Sequence, residues 1–174
     1  MVSNGWIYEK RLLIKTAIRV VFGAVWLIDG AFKFLFNSPS TFAQMILDAG
    51  QGQPAFFMPW FNFWYATVSL NPNFWFYLVG VSEVLLGLAL VFGFARKLAY
   101  TLGMLLSLVI WSIPEGFGGP YGPSSTDIGT GIIYAVVFIC LILINTEFGA
   151  SRLSLDRLIE KRVKWWHMVA EFKN

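Results

Sequence analysis

The chain has 174 residues, of which 57% are hydrophobic and only 13% charged, with a formal net charge of +3. Soluble domains carry about 25% charged residues, so the composition excludes an ordinary soluble domain, and the small positive charge excludes a nucleic-acid surface. A mean hydropathy of +0.64, with the apolar residues gathered in long blocks, is the pattern of an integral membrane protein.

Two scarce residue types narrow the chemistry further. The single cysteine, Cys140, excludes an intramolecular disulfide, CxxC redox chemistry and an all-protein iron–sulfur or thiolate zinc site. It reads as a small packing residue. The single histidine, His167, excludes haem held by two histidines of this chain. No metal site is expected.

In chain order, the first expected span covers residues 12–36. At about 1.5 Å per residue it crosses a hydrocarbon core of about 30 Å. It carries Lys15, Arg19, Asp29 and Lys33. Residues 37–73 form a long connection in which 41–49 predict a short helix. The run FFMPWFNFWY over 56–65 is too short to span, and reads as an interfacial or re-entrant segment at headgroup level. Further spans are expected over 74–94, interrupted by Glu83, over 98–113 and over 128–144. A tail over 151–172 repeats apolar residues at helical spacing among basic ones, which predicts an amphipathic helix on the membrane surface. The fold expected is a single all-α membrane domain over 1–174: a four-transmembrane-helix bundle with an outer aromatic and Gly/Pro loop region and a cytoplasmic amphipathic C-terminal helix. Lys and Arg gather before the first span, at Arg96 and Lys97, and after the fourth span. By the positive-inside rule the chain is multi-pass in the plasma membrane with both termini cytoplasmic.

Residues 111–131, WSIPEGFGGPYGPSSTDIGTG, lie between the last two spans. Glycine and proline keep regular structure out of their centre. Ser124-Ser125-Thr126-Asp127 ahead of an apolar run reads as a helix start. Small residues there leave backbone N–H groups open to an anion. The alternative is a tight, solvated turn. Ionisable residues within spans need partners and mark functional sites. Asp29 and Lys33 share one helix face, and Glu83 pairs with either Arg19 or Lys33. Alternatively, these charges only hold helices together.

The pattern Arg19…Gly23…Trp26-Leu27…Asp29-Gly30…Lys33-Phe34, four spans, and residues 114–131 resemble the DoxD family, the membrane subunit of archaeal thiosulfate:quinone oxidoreductase, within the wider DoxX-like superfamily. The resemblance implies oxidation of thiosulfate to tetrathionate in archaeal sulfur metabolism. The electrons pass to a membrane quinone of the caldariella quinone type. It also implies a DoxA-like partner subunit and an association with terminal oxidase subunits of a respiratory chain. It transfers no residue roles, so the candidate site rests on the residues themselves. Asp29, Lys33, Glu83 and Glu115 are the catalytic candidates, with Lys33 as counter-charge to the anion and the carboxylates as proton relays. Arg19, Trp111, Gly118, Gly119, Ser125, Thr126 and Asp127 are the substrate-binding candidates. Trp26, Trp60, Trp64 and Trp75 are the candidates for an aromatic quinone cleft. The competing reading is a non-catalytic accessory subunit of a terminal quinol oxidase. A small transporter is a third, disfavoured by the lack of an inverted repeat.

Overall fold

The computed structural model describes residues 4–123, 125, 127–148 and 153–172, with side chains described from residue 10 onward. Four long helices run along it: α1 (Asn4–Phe36), α4 (Pro72–Phe92), α5 (Arg96–Ser112) and α6 (Thr130–Phe148). Between the first two of these lie α2 (Pro39–Gly50) and α3 (Met58–Leu70). The described residues contain no strand. Two helices, α4 and α6, are long and apolar enough to cross a membrane, with mean hydropathies of 2.0 and 2.2.

The surface is inverted relative to a soluble protein. On α1, Leu13, Ile14, Val21, Ile28 and Leu35 are exposed, while Lys15 and Arg19 are buried. Charged side chains are almost never fully buried in water-soluble domains unless paired. Apolar side chains outward and charges inward suit a lipid surround.

Small residues set how the helices pair. α1 lies antiparallel to α4, with Gly23 against Val91, Leu27 against Gly87, Gly30 against Val84 and Phe34 against Gly80. A β-carbon at Gly87 would lie 2.9 Å from the Leu27 backbone nitrogen. Close backbone approach of this kind is how helices associate where lipid removes the hydrophobic drive. α5 pairs with α6 in the same way, through Gly103 against Phe138 and Gly131 against Trp111. Phe22, Trp26, Leu86, Leu90, Tyr100, Phe138 and Leu141 fill the centre, where the two pairs meet.

Each end of the bundle is closed differently. At one end, called here the loop end, α2 and α3 form a cap. Its core is Ala43, Ile46, Phe61 and Val68 packed on Ile113. Pro39 and Pro59 stand in the first turns of these helices, where a missing N–H costs nothing. The 56–65 aromatics thus belong mostly to a helix of the cap. At the opposite, tail end, the chain after α6 folds back on the bundle. The single amphipathic helix expected over 151–172 does not form. Instead, α7 (Leu155–Glu160) and α8 (His167–Ala170) are separated by extended Val163 and a 3-10 turn. Asp156 and Ala170 are fully buried, while Leu158, Trp165 and Met168 stay exposed, so the tail is anchored to the bundle by a buried carboxylate and keeps an apolar outer face. Cys140 is exposed on α6, not packed in the core.

Candidate functional site

At the tail end the charges gather around Asp156 and Arg96. Asp156 Oδ2 meets Arg96 Nε at 2.7 Å and also accepts from the Arg96 backbone N–H. Its Oδ1 accepts from the Ala95 N–H at 2.6 Å and from Trp166 Nε1 at 2.8 Å. Arg96 reaches Glu171 as well, and Lys15 donates to Asn145 at 3.1 Å. Arg19 donates to the Leu153 carbonyl at 2.7 Å and packs on Gly93. That glycine ends α4 with φ +64, and a β-carbon there would fall 1.6 Å from Arg19 Nη1. Arg19 therefore does not join the substrate candidates. It is fourteen residues from Lys33 on one helix, about 21 Å along the axis. Glu160 on α7 has its carboxyl pushed above the usual range, by burial and then by the neighbouring Glu171 carboxylate.

At the loop end the structure resolves the pairing of Glu83. Lys33 Nζ lies 2.7 Å from Glu83 Oε1, and Glu83 is 3% exposed. Asp29 does not pair with Lys33; its Oδ2 accepts from the Tyr134 hydroxyl at 3.0 Å. Glu115 accepts from the Thr130 hydroxyl and from the Gly131 N–H. These four ionisable groups, brought from α1, α4 and the loop, line one chamber of about 280 Å3 with Trp26, Asn37, Ser107 and, from α6, Tyr134. All four catalytic candidates are thus brought together.

The Gly/Pro loop does not present the open amides expected of it. Helix α6 begins at Thr130, not at 124–127, and its N-terminus is filled by the chain's own Glu115 carboxylate, where a negative charge is favoured. The N–H groups of Gly118 and Gly119 donate to the carbonyls of Glu115 and Gly116. The Ser125 hydroxyl accepts from Gly122 N–H, and Asp127 accepts from Gly129 N–H at 2.8 Å. Trp111 Nε1 donates to the Ile128 carbonyl at 2.8 Å. Thr126 lies outside the described residues.

A second cavity, apolar and about 100 Å3, lies between the cap and the bundle. Phe42, Trp64, Val68, Trp75 and Ile110 line it, together with Lys33. Trp64 and Trp75 stand edge to face, with centroids 6.1 Å apart. Of the four tryptophans expected in an aromatic cleft, these two are there. Trp60 packs behind Trp64 and donates to the Ser112 carbonyl, and Trp26 belongs to the chamber. Trp64 Nε1 is buried and has no hydrogen-bond partner among the described residues. Lys33 belongs to both compartments: it meets Glu83 in one, and lies 6.0 Å from the Phe42 ring centroid in the other.

Several contributors were not singled out from sequence. Tyr134 and Asn145 are polar residues inside the most apolar helix, which is a signal of function in a span. Ser107, Asn37 and Asp156 carried no such signal, because their roles depend on tertiary packing.

No curated protein and no solved structure matches the chain. The DoxX family matches residues 14–115. That stretch runs from α1 to the end of α5 and holds Asp29, Lys33, Glu83 and Glu115, together with the walls of the apolar slot. The chain belongs to the DoxX family and is a membrane protein of that family.

Proposed function

We propose that this chain is the quinone-reducing membrane subunit of a thiosulfate:quinone oxidoreductase, with four membrane crossings, its loop end outside and its tail cytoplasmic. The observation that carries this reading is the apolar slot that shares Lys33 with a carboxylate-lined chamber. A membrane quinone accepts two electrons and two protons per molecule. The slot offers its ring apolar walls at Trp64 and Trp75. It offers its oxygens two donors, the partnerless Trp64 Nε1 and the Lys33 ammonium. A buried donor with no acceptor costs about 1–3 kcal/mol, and a carbonyl oxygen in the slot would remove that cost. Asp29, Glu83 and Glu115 supply titratable oxygens next door.

Thiosulfate binds elsewhere on this reading. The chamber holds three carboxylates against one ammonium, so it repels a dianion, and the N–H groups of Gly118, Gly119, Gly122, Gly129 and Gly131 already donate within the chain. Joining two thiosulfates through a new S–S bond to give tetrathionate releases two electrons. We assign that step to a DoxA-like partner subunit docked at the loop end. The accessory-subunit reading has no feature in its favour as specific as the Trp64 donor.

The test is photolabelling of the purified complex with an azido-quinone. Labelled peptides from 64–79 and 106–114, protected by excess quinone, are expected. Trp64→Phe, which keeps the wall and removes the donor, should raise the KM for quinone about three- to tenfold, as loss of one hydrogen bond predicts. Labelling confined to lipid-facing residues, with an unchanged KM, would reject the slot.

A further inference from the structure

The chamber has a floor, a mouth and two open valences. At the floor lie Ser107, Trp26 and Glu83, at 0%, 1% and 3% exposure. At the mouth lie Asn37 and Thr130, both exposed and both at the loop end. Two buried polar atoms of the floor have no partner among the described residues, the donor Trp26 Nε1 and the acceptor Glu83 Oε2. Buried polar atoms left open by the protein are ordinarily satisfied by water, provided the cavity is polar and roomy enough. At about 280 Å3, with carboxylates on several walls, this cavity is both.

The opposite direction is sealed. Below the floor, Phe22, Leu86, Leu90, Phe138 and Leu141 pack with Tyr100 into one buried plug. Beyond the plug Arg96 is paired with Asp156 and Glu171, Lys15 donates to Asn145, and Arg19 donates to the Leu153 carbonyl. The charged and titratable groups around Glu83 are Asp29 and Lys33 from α1, Glu115 from the loop after α5, and Tyr134 from α6. All of them belong to the chamber.

We infer that the chamber is a water-filled proton well, open only at the loop end, which loads Lys33 through Glu83. The inference rests on the quinone reading for its acceptor, but not for its geometry. The Lys33 ammonium, on the boundary, gives a proton to an acceptor oxygen in the slot as electrons arrive from the sulfur donor. Glu83 takes a proton from chamber water at Oε2, its carboxyl turns to exchange the two oxygens, and the proton passes to the Lys33 amine across their 2.7 Å contact. One such cycle moves one proton from well to slot, and two cycles match the two electrons accepted. All protons consumed are therefore drawn from the loop end.

The well is tested without quinone by placing Ser107→Cys in a Cys140→Ser background, in sealed vesicles of the full complex. Asn37→Cys at the mouth is the control, and trypsin cleavage at Arg157 and Lys161 reports which end faces out. A membrane-impermeant trimethylammonium methanethiosulfonate should label the Ser107→Cys variant from the loop end only. It should do so at least tenfold faster than a sulfonate-bearing analogue of similar size, because the chamber is net negative. Labelling from the tail end, equal rates for the two reagents, or no labelling while the control reacts, would overturn the well. The second test follows proton uptake in proteoliposomes with pH dyes on both sides. Two protons per quinone should disappear from the loop-end compartment. Glu83→Gln should slow turnover at least tenfold while leaving the KM for quinone within about twofold. One-sided labelling without any quinone reduction retires the acceptor and leaves the well standing. Quinone reduction with tail-end proton uptake retires the well and leaves the acceptor.

Discussion

Replacing Asp156 by Ala removes the centre of the tail-end charge cluster, and the structure fixes the size of the loss. The carboxylate is fully buried and accepts four hydrogen bonds: from the N–H groups of Ala95 and Arg96, from Arg96 Nε and from Trp166 Nε1. Breaking a buried pair strands the surviving charge, at a cost of about 3–5 kcal/mol. Arg96 keeps Glu171, which holds the loss within that range despite the added loss of the cap on α5. For a chain of this length each kcal/mol lowers Tm by about 2–4 °C, so a fall of roughly 6–20 °C is expected in detergent. Asp156→Asn keeps the volume and part of the hydrogen bonding, and should fall about half as far. The tail should also undock, so trypsin cleavage at Arg157 and Lys161 should become at least tenfold faster. A stability change under about 1 kcal/mol, with unaltered cleavage, would show that the tail is not held by this carboxylate.

Lys33→Met should reduce quinone turnover at least tenfold and also destabilise the chain, because Glu83 is left as a lone buried charge. The double variant Lys33→Met/Glu83→Gln separates the two effects: thermal stability should recover while turnover stays low, and recovered turnover would reject the role of Lys33. Gly93→Ala forces a β-carbon into the left-handed region and onto Arg19; differential scanning fluorimetry should register a loss of more than about 2 kcal/mol. Glu115→Ala uncovers the first turn of α6 and should cost about 1 kcal/mol, visible as faster amide exchange at Gly131.

The helical fold was largely legible because the apolar blocks are long and the breakers between them are strong. The cluster of proline and glycine at 114–123 keeps a helix from running through it, because proline removes backbone donors and consecutive glycines cost conformational entropy, whereas single glycines such as Gly87 stay within helices. The partner of Glu83 was legible only as a choice between two cations. Helix register decides it: the antiparallel pairing that sets Leu27 on Gly87 also sets Lys33 beside Glu83 and carries Arg19 down to Gly93. The loop misled for a different reason. Glycine-rich sequence reveals that amides are free to turn, not which acceptor they find. Here the acceptors are the chain's own, Glu115 and neighbouring carbonyls. In the tail, the spacing of Leu155, Leu158 and Ile159 resembles a surface helix. The same stretch contains Asp156, whose burial against Arg96 ties the first turn of α7 to the bundle, and this long-range contact is not encoded in the spacing. Two of the four tryptophans reach the slot because α3 presents Trp64 towards α4, where Trp75 stands, a juxtaposition that no spacing along the chain encodes.

The proposed function requires electron transfer from a sulfur donor to a quinone bound in the slot shared with Lys33. The most direct measurement is thiosulfate-dependent quinone reduction by the purified complex, with and without the partner subunit, recorded beside its absorption spectrum. Turnover is expected to need both chains and to fail in the Lys33→Met/Glu83→Gln variant. Absence of thiosulfate-dependent turnover, together with haem spectra from co-purifying oxidase subunits, would contradict the proposed function and place the chain among accessory subunits.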